Sequence, residues 1–138
     1  MNGKIFADTN ILVYAFSHSE ADKQKKALAI LDDCHLVISA QVIREFIAVA
    51  MNKYGQPLEK IITHVNNISD VADIVNEDLE LINKAIEIHQ RYKFRFYDCL
   101  IIAAALKADC KILLSEDMQS GQVIDGVLTV VNPFLSFE

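Results

Sequence analysis

Short apolar runs that end abruptly in polar residues alternate along this chain with longer stretches whose apolar residues recur every three or four positions. Ile5-Phe6-Ala7 runs into Asp8-Thr9-Asn10, which precedes the helix-like Ile11-Leu12-Val13-Tyr14-Ala15-Phe16, so a strand, a polar turn and a helix are predicted. Ala21 to Leu31 sets Ala27, Leu28, Ile30 and Leu31 beside Lys23, Lys25 and Lys26, the pattern of an amphipathic helix with a cationic face. Leu36-Val37-Ile38 predicts a second buried strand. Ser39 can cap the next helix, which carries Val42, Phe46, Val49 and Ala50 on one face and ends near Tyr54-Gly55. Pro57 suits the first turn of another helix reaching about Ile68, and Ala72 to Val75 reads as a short strand.

Leu79, Ile82, Ile86 and His89 mark one face of a long helix, followed by a small basic group of Arg91, Lys93 and Arg95. From Tyr97 to Ala108 the chain is almost entirely apolar after Asp98, which predicts a central, buried helix. Ile112-Leu113-Leu114 and Leu128 to Val131 supply the last strands. Short apolar strands alternating with helices predict an α/β fold, a three-layer α/β/α sandwich around a mainly parallel sheet. The length of 138 residues suits one domain over residues 1–138.

Composition narrows this picture. Apolar residues make up 52% of the chain and only four Gly and two Pro occur, so order is expected nearly end to end. The N-terminus lacks the long apolar region of a secretory signal, and the longest apolar run falls far short of the ~18 residues of a membrane span. A soluble cytoplasmic protein without membrane contact is the expectation. The three cysteines form no CxxC pair and read as reduced packing thiols. A formal charge of −6 argues against holding nucleic acid by a basic surface alone. It does not exclude a nuclease, because acids gathered around a metal contribute to such an excess.

Four carboxylates carry the candidate chemistry. Asp8, Glu45, Asp98 and Asp117 each stand where an apolar run meets a polar residue, and carboxylates attached to core segments call for a compensating cation. In parallel sheets, ligands gather outside the carboxyl ends of the strands, where the strand order reverses. Asp8 directly follows the first strand, Glu45 lies in the helix after the second, Asp98 opens the central helix and Asp117 closely follows another strand. Such a cluster would repel itself by a few kcal/mol at an effective dielectric of ~20. Mg²⁺ or Mn²⁺ removes that cost and leaves coordination positions for water and a phosphate oxygen, which makes phosphodiester hydrolysis the natural reaction.

Asp8-Thr9-Asn10 after a short N-terminal strand, Glu45 in the helix after Ser39, Tyr97-Asp98-Cys99 opening an alanine-rich helix, and Leu114-Ser115-Glu116-Asp117 together resemble the PIN-domain nucleases, particularly VapC-type toxins. The acids fall in the family's order at separations of 37, 53 and 19 residues. The resemblance implies a metal-dependent endoribonuclease, held inactive by a small antitoxin and forming a homodimer or higher homo-oligomer. It implies that Asp8, Glu45, Asp98 and Asp117 are both catalytic and metal-binding. Thr9 and Asn10 would orient the first carboxylate or bond substrate, and Ser115 would support the ligands. Glu116 is a rival carboxylate one residue from Asp117, and either can point inward. Arg91, Lys93 and Arg95 are candidates for contact with RNA phosphates.

Each feature also has a plainer reading. Asp8 can cap the first helix, Glu45 can be a solvated helix residue beside Arg44, Asp98 can complement a helix dipole, and Asp117 can cap whatever follows. The basic residues can be a solvated face. The four histidines lack metal-ligand spacing and read as surface or packing residues. Tyr14, Phe16 and Phe46 read as core, as does the run from Tyr97 to Leu106. Two other functions compete: a PIN-like domain that binds RNA or protein without cutting, and a small α/β phosphatase or phosphoacceptor domain using Asp8. The latter class expects a second Asp where Asn10 stands.

Overall fold

A computed structural model describes residues 3–135; residues 1–2 and 136–138, the ends of the expected 1–138 domain, lie outside the described residues. Strand β1 (Lys4–Ala7) leads into helices α1 (Thr9–Ala15) and α2 (Ala21–Asp33), then β2 (His35–Ser39), α3 (Ala40–Asn52), α4 (Leu58–Val71) and β3 (Ala72–Val75). The remaining elements are α5 (Leu79–Tyr92), α6 (Phe96–Lys107), β4 (Ile112–Leu114), β5 (Val123–Ile124) and β6 (Leu128–Val131).

All the strands join one sheet in the order β3-β2-β1-β4-β6-β5. β1 runs parallel to β2 and β4, β2 to β3, and β4 to β6; β5 alone is antiparallel. The chain winds outward from β1 to β3, then crosses back to β4 on the other side of β1. Right-handed crossovers therefore place α1 to α4 on one face and α5 with α6 on the opposite face, giving three layers. The winding reverses between β1 and β4, so the crevice beyond their carboxyl ends is where a ligand site is expected.

Local chemistry explains the element ends that matter. Ser39 Oγ accepts the Val42 N–H at the start of α3, and Asp78 accepts the Leu81 N–H at the start of α5. Ile5, Phe6, Leu36, Val37, Ile38 and Leu113 are fully buried between the helical layers. Seven consecutive residues of α6, Cys99 to Ala105, are buried, so this helix is central as its composition predicts. All three cysteines are free thiols.

Two expectations need correction. The buried face of α5 is Leu81, Ala85 and Ile88, whereas Leu79 is 71% exposed and Ile86 and His89 also face solvent. Two apolar rows with helical spacing run along α5, and packing against α6 selects the second. The two-residue strand β5 is absent from the sequence reading. Its signal is Asp125-Gly126, whose φ values of 52° and 68° form the tight turn that folds β5 onto β6, closed by Val127 N–H to Ile124 C=O.

Candidate active site

The crevice beyond β1 and β4 holds a cavity of about 420 Å³ lined by Asp8, Glu45, Asp98 and Asp117, together with Thr9, Asn10, Gln41, Arg95 and Tyr97. The fold thus brings the four acids to one pocket from four elements distant in sequence. A larger groove of about 720 Å³ between α5 and α6 contains none of them.

Asp8 stands where β1 ends and α1 begins. Its backbone N–H donates to Leu114 C=O at 2.9 Å, tying it to the end of β4. Its Oδ1 accepts the Thr9 N–H at 2.7 Å, and its Oδ2 accepts a bond from buried Ser115 Oγ at 3.1 Å. Asp8 therefore does cap α1, and in doing so it is aimed at the pocket. Burial pushes its carboxyl up to about 6, assisted by the nearby charges of Glu45 and Asp98 and opposed by the Thr9 and Ser115 bonds.

Glu45 is held at both oxygens. Thr9 Oγ1 donates to Oε2 at 2.7 Å, and Gln41, one turn earlier on α3, donates to Oε1 at 2.9 Å. Thr9 thus contacts two acids, Asp8 through its backbone and Glu45 through its hydroxyl. Gln41 is 4% exposed and its Nε2 also lies 3.4 Å from Tyr97 C=O at the start of α6. Both partners are acceptors, so the amide nitrogen must face them and Oε1 is left buried without a donor. Gln41 is a site residue that the sequence reading missed; in isolation it resembles any polar residue in the first turn of a helix.

Asn10 Nδ2 donates to Asp117 Oδ2 at 3.0 Å, and Asp117 is the acid that lines the pocket. Glu116 is turned away. Its carboxylate accepts Tyr14 Oη at 2.6 Å and Lys23 Nζ at 2.5 Å, and these bonds together with the Lys23 charge outweigh partial burial and lower its pKa. Glu116 is thereby committed to joining the end of β4 to α1 and α2, and Lys23 is committed with it.

The basic trio does not act as a unit. Arg91 pairs with Asp125 in the β5–β6 turn, and Lys93 occupies the left-handed C-terminal position of α5. Arg95 alone lines the pocket, with Nε 3.3 Å from Asp98 Oδ2 and a side chain 80% exposed. The hydrogen bond and charge of Asp98, and then the charges of Asp117 and Asp8, raise its pKa further, so three of the acids act electrostatically on one guanidinium. Tyr97, expected in the core, is 69% exposed at the pocket rim, in the first turn of α6, where Phe96 is exposed as well; burial begins at Cys99. None of the four histidines lines this pocket.

The donors fit a hard divalent cation in kind: carboxylate oxygens at a buried sheet end, one of them with its charge disfavoured by desolvation and like-charged neighbours. Among the described residues, no three His, Cys, Asp or Glu side chains form a ready-made ligand group. Mg²⁺ is compatible with that spacing, since it keeps several waters and is bound by one or two carboxylates directly.

A PIN domain family model matches residues 5–122. Among solved structures, a toxin–antitoxin complex from Klebsiella pneumoniae is similar at 23% identity and a TM-score of 0.70, covering 94% of this chain and 98% of that one. The VapC20 toxin of Mycobacterium tuberculosis, described as cleaving the sarcin–ricin loop, is similar at 17% identity and a TM-score of 0.67, with 82% and 91% covered. VapBC2 from Rickettsia felis, bound to a DNA fragment from its promoter, is similar at 15% identity and a TM-score of 0.65, with 92% and 96% covered. No curated protein matches the sequence.

Proposed function

The chain belongs to the PIN-domain family, matched over residues 5–122, and on that footing we propose that it is a metal-dependent endoribonuclease, the toxin of a VapBC-type toxin–antitoxin pair. The observation that carries this reading is the lining of one pocket by Asp8, Glu45, Asp98 and Asp117 at the reversal point of the sheet. Asp8, Asp98, Glu45 and Asp117 would hold Mg²⁺ or Mn²⁺, which when bound supplies charge for a phosphate oxygen and lowers the pKa of a water.

The chain's own groups prepare the site. Ser115 and the Thr9 N–H fix Asp8, while Thr9 Oγ1 and Gln41 fix both Glu45 oxygens, so neither acid has to reorganise as substrate arrives. Asn10 steadies Asp117. Arg95, paired with Asp98 and with a largely exposed side chain, has room to reach a substrate phosphate. Exposed Tyr97 offers a stacking face for an unpaired base, which favours single-stranded or loop RNA.

A small antitoxin as partner belongs to the same reading, supported by the toxin–antitoxin complexes among the structural neighbours, and a homodimer or higher homo-oligomer is proposed with it. No helix among the described residues is long and apolar enough to cross a membrane, and a cytoplasmic location is part of the proposal. The test is cleavage of a mixed RNA substrate by the purified protein with Mg²⁺ or Mn²⁺, after EDTA, and after metal is restored. Cleavage that stops with EDTA, returns with metal and is absent from Asp8→Asn and Asp98→Asn supports the reading. Full cleavage by both purified variants would sink it.

A further inference from the structure

A second cavity, of about 250 Å³, opens on the far side of Arg95 and shares Arg95, Asp98 and Asp117 with the acid pocket. Its inner wall is apolar, built from Phe94, Met118, Ile124 and Val130, with Ile124 and Val130 fully buried. Gln119 and Gln122 add two side-chain amides, neither of them hydrogen-bonded to protein among the described residues. The segment that forms this wall is the one that carries Asp117. It is fixed by backbone bonds from Gly121 N–H to Val130 C=O at 2.7 Å and from Val130 N–H to Gln122 C=O at 2.9 Å. Met118 N–H donates to Ser115 Oγ, the hydroxyl that also bonds Asp8. Cavity and acids are therefore parts of one rigid arrangement.

The chemistry of the cavity selects its occupant. The apolar wall and neutral amides do not give a phosphate or an isolated cation a full set of polar partners, since the charged groups Arg95, Asp98 and Asp117 lie only where this cavity borders the acid pocket. The cavity suits a flat group with apolar faces and a polar edge carrying both donors and acceptors, which an amide can pair in either sense. Arg95, planar and at the boundary, can lie against the face of such a group while reaching a phosphate attached to it. At ~30 Å³ per water, 250 Å³ is space for about eight waters, enough to take a single nucleobase.

We propose that this cavity receives the unpaired base next to the scissile phosphate and so selects the sequence at which RNA is cut. The inference rests on the nuclease reading above, and two experiments separate the two. In the first, RNA with randomised loop positions is cut by the wild type, Gln122→Leu and Gln119→Leu, and the cut ends are sequenced. Wild type should prefer one base at one flanking position, and at least one variant should flatten that preference by about 5- to 100-fold, the range for loss of a hydrogen-bonded base contact. Preference unchanged in both variants overturns the proposal.

In the second, the methyl groups of Met118, Ile124 and Val130 are followed by NMR while each of the four ribonucleoside 5′-monophosphates is added in the presence of Mg²⁺. Shifts that depend on the base support the cavity's role, and the absence of shifts with all four overturns it whether or not the protein cuts RNA. Base-dependent shifts in a protein that shows no RNA cleavage keep the base site and remove the nuclease reading.

Discussion

Replacing Asp8 by Asn should make the metal-free protein more stable at neutral pH, although it removes a proposed ligand. Asp8 in the folded chain titrates near 6, against an ordinary value of 3.8, first because burial desolvates it and then because Glu45 and Asp98 add like charge. A raised folded-state pKa means that the proton favours the folded form: this contribution is fully present below 3.8 and is lost as pH rises through about 6. At ~1.4 kcal/mol per unit, the shift corresponds to about 3 kcal/mol, and residual solvent contact reduces the expected gain to about 1–3 kcal/mol. Asn remains a good helix cap for the Thr9 N–H, and its amide can donate to Ser115 Oγ in place of the bond Asp8 accepts. Urea unfolding of both proteins in EDTA should therefore show near-equal stability at pH 3.5 and an advantage for Asp8→Asn at pH 7.5. Adding Mg²⁺ should narrow or reverse that gap, since binding to the folded wild type adds ~2.7 kcal/mol at a hundredfold excess over Kd. An Asp8→Asn protein no more stable than wild type at pH 7.5 in EDTA refutes the charge argument.

Other consequences follow from individual contacts. Asp117→Asn should abolish RNA cleavage while Glu116→Gln leaves it within a few-fold of wild type and, as one partly exposed ion pair is lost, lowers stability by at most ~1 kcal/mol; the reverse ranking in a cleavage assay would exchange their roles. Gln41→Met keeps the side-chain volume but removes one of the two donors to Glu45. A hydrogen bond to a charged group is worth ~1.5–3 kcal/mol, so kcat should fall about 10- to 100-fold with little change in KM. An unchanged kcat contradicts a positioning role. Tyr97→Ala should weaken binding of single-stranded RNA by ~1–3 kcal/mol without lowering Tm, because the ring is 69% exposed; fluorescence anisotropy on an Asp98→Asn background measures the affinity without cleavage.

The five parallel strands were legible because each apolar run ends in a polar turn, and that grammar also located Asp8 and the segment bearing Asp117. β5 escaped because two residues establish no period, though Asp125-Gly126 marks its turn. Sequence alone does not distinguish the two faces of α5, because exposed Leu79 and Ile86, with half-buried Ile82, have helical spacing as regular as that of buried Leu81, Ala85 and Ile88. Deciding between them required knowing where α6 lies. Likewise, Glu116 and Asp117 differ only in which way the chain turns after β4, and Glu116's partners Tyr14 and Lys23 lie 102 and 93 residues away. In sequence Arg91 is equivalent to Arg95; what separates them is Asp125, 34 residues on, which engages Arg91. Local pattern thus exposed the acids, whereas the assignment of neighbouring side chains to pocket, partner or solvent depended on contacts remote in sequence.

A divalent-metal site built from Asp8, Glu45, Asp98 and Asp117 is tested by Mn²⁺ binding followed by electron paramagnetic resonance, which requires no knowledge of the RNA. Saturable binding by the wild type is expected, lost or weakened at least tenfold in Asp8→Asn and Asp98→Asn, with both variants folded. Equal Mn²⁺ binding by the wild type and both variants, or none by a folded wild type, contradicts it.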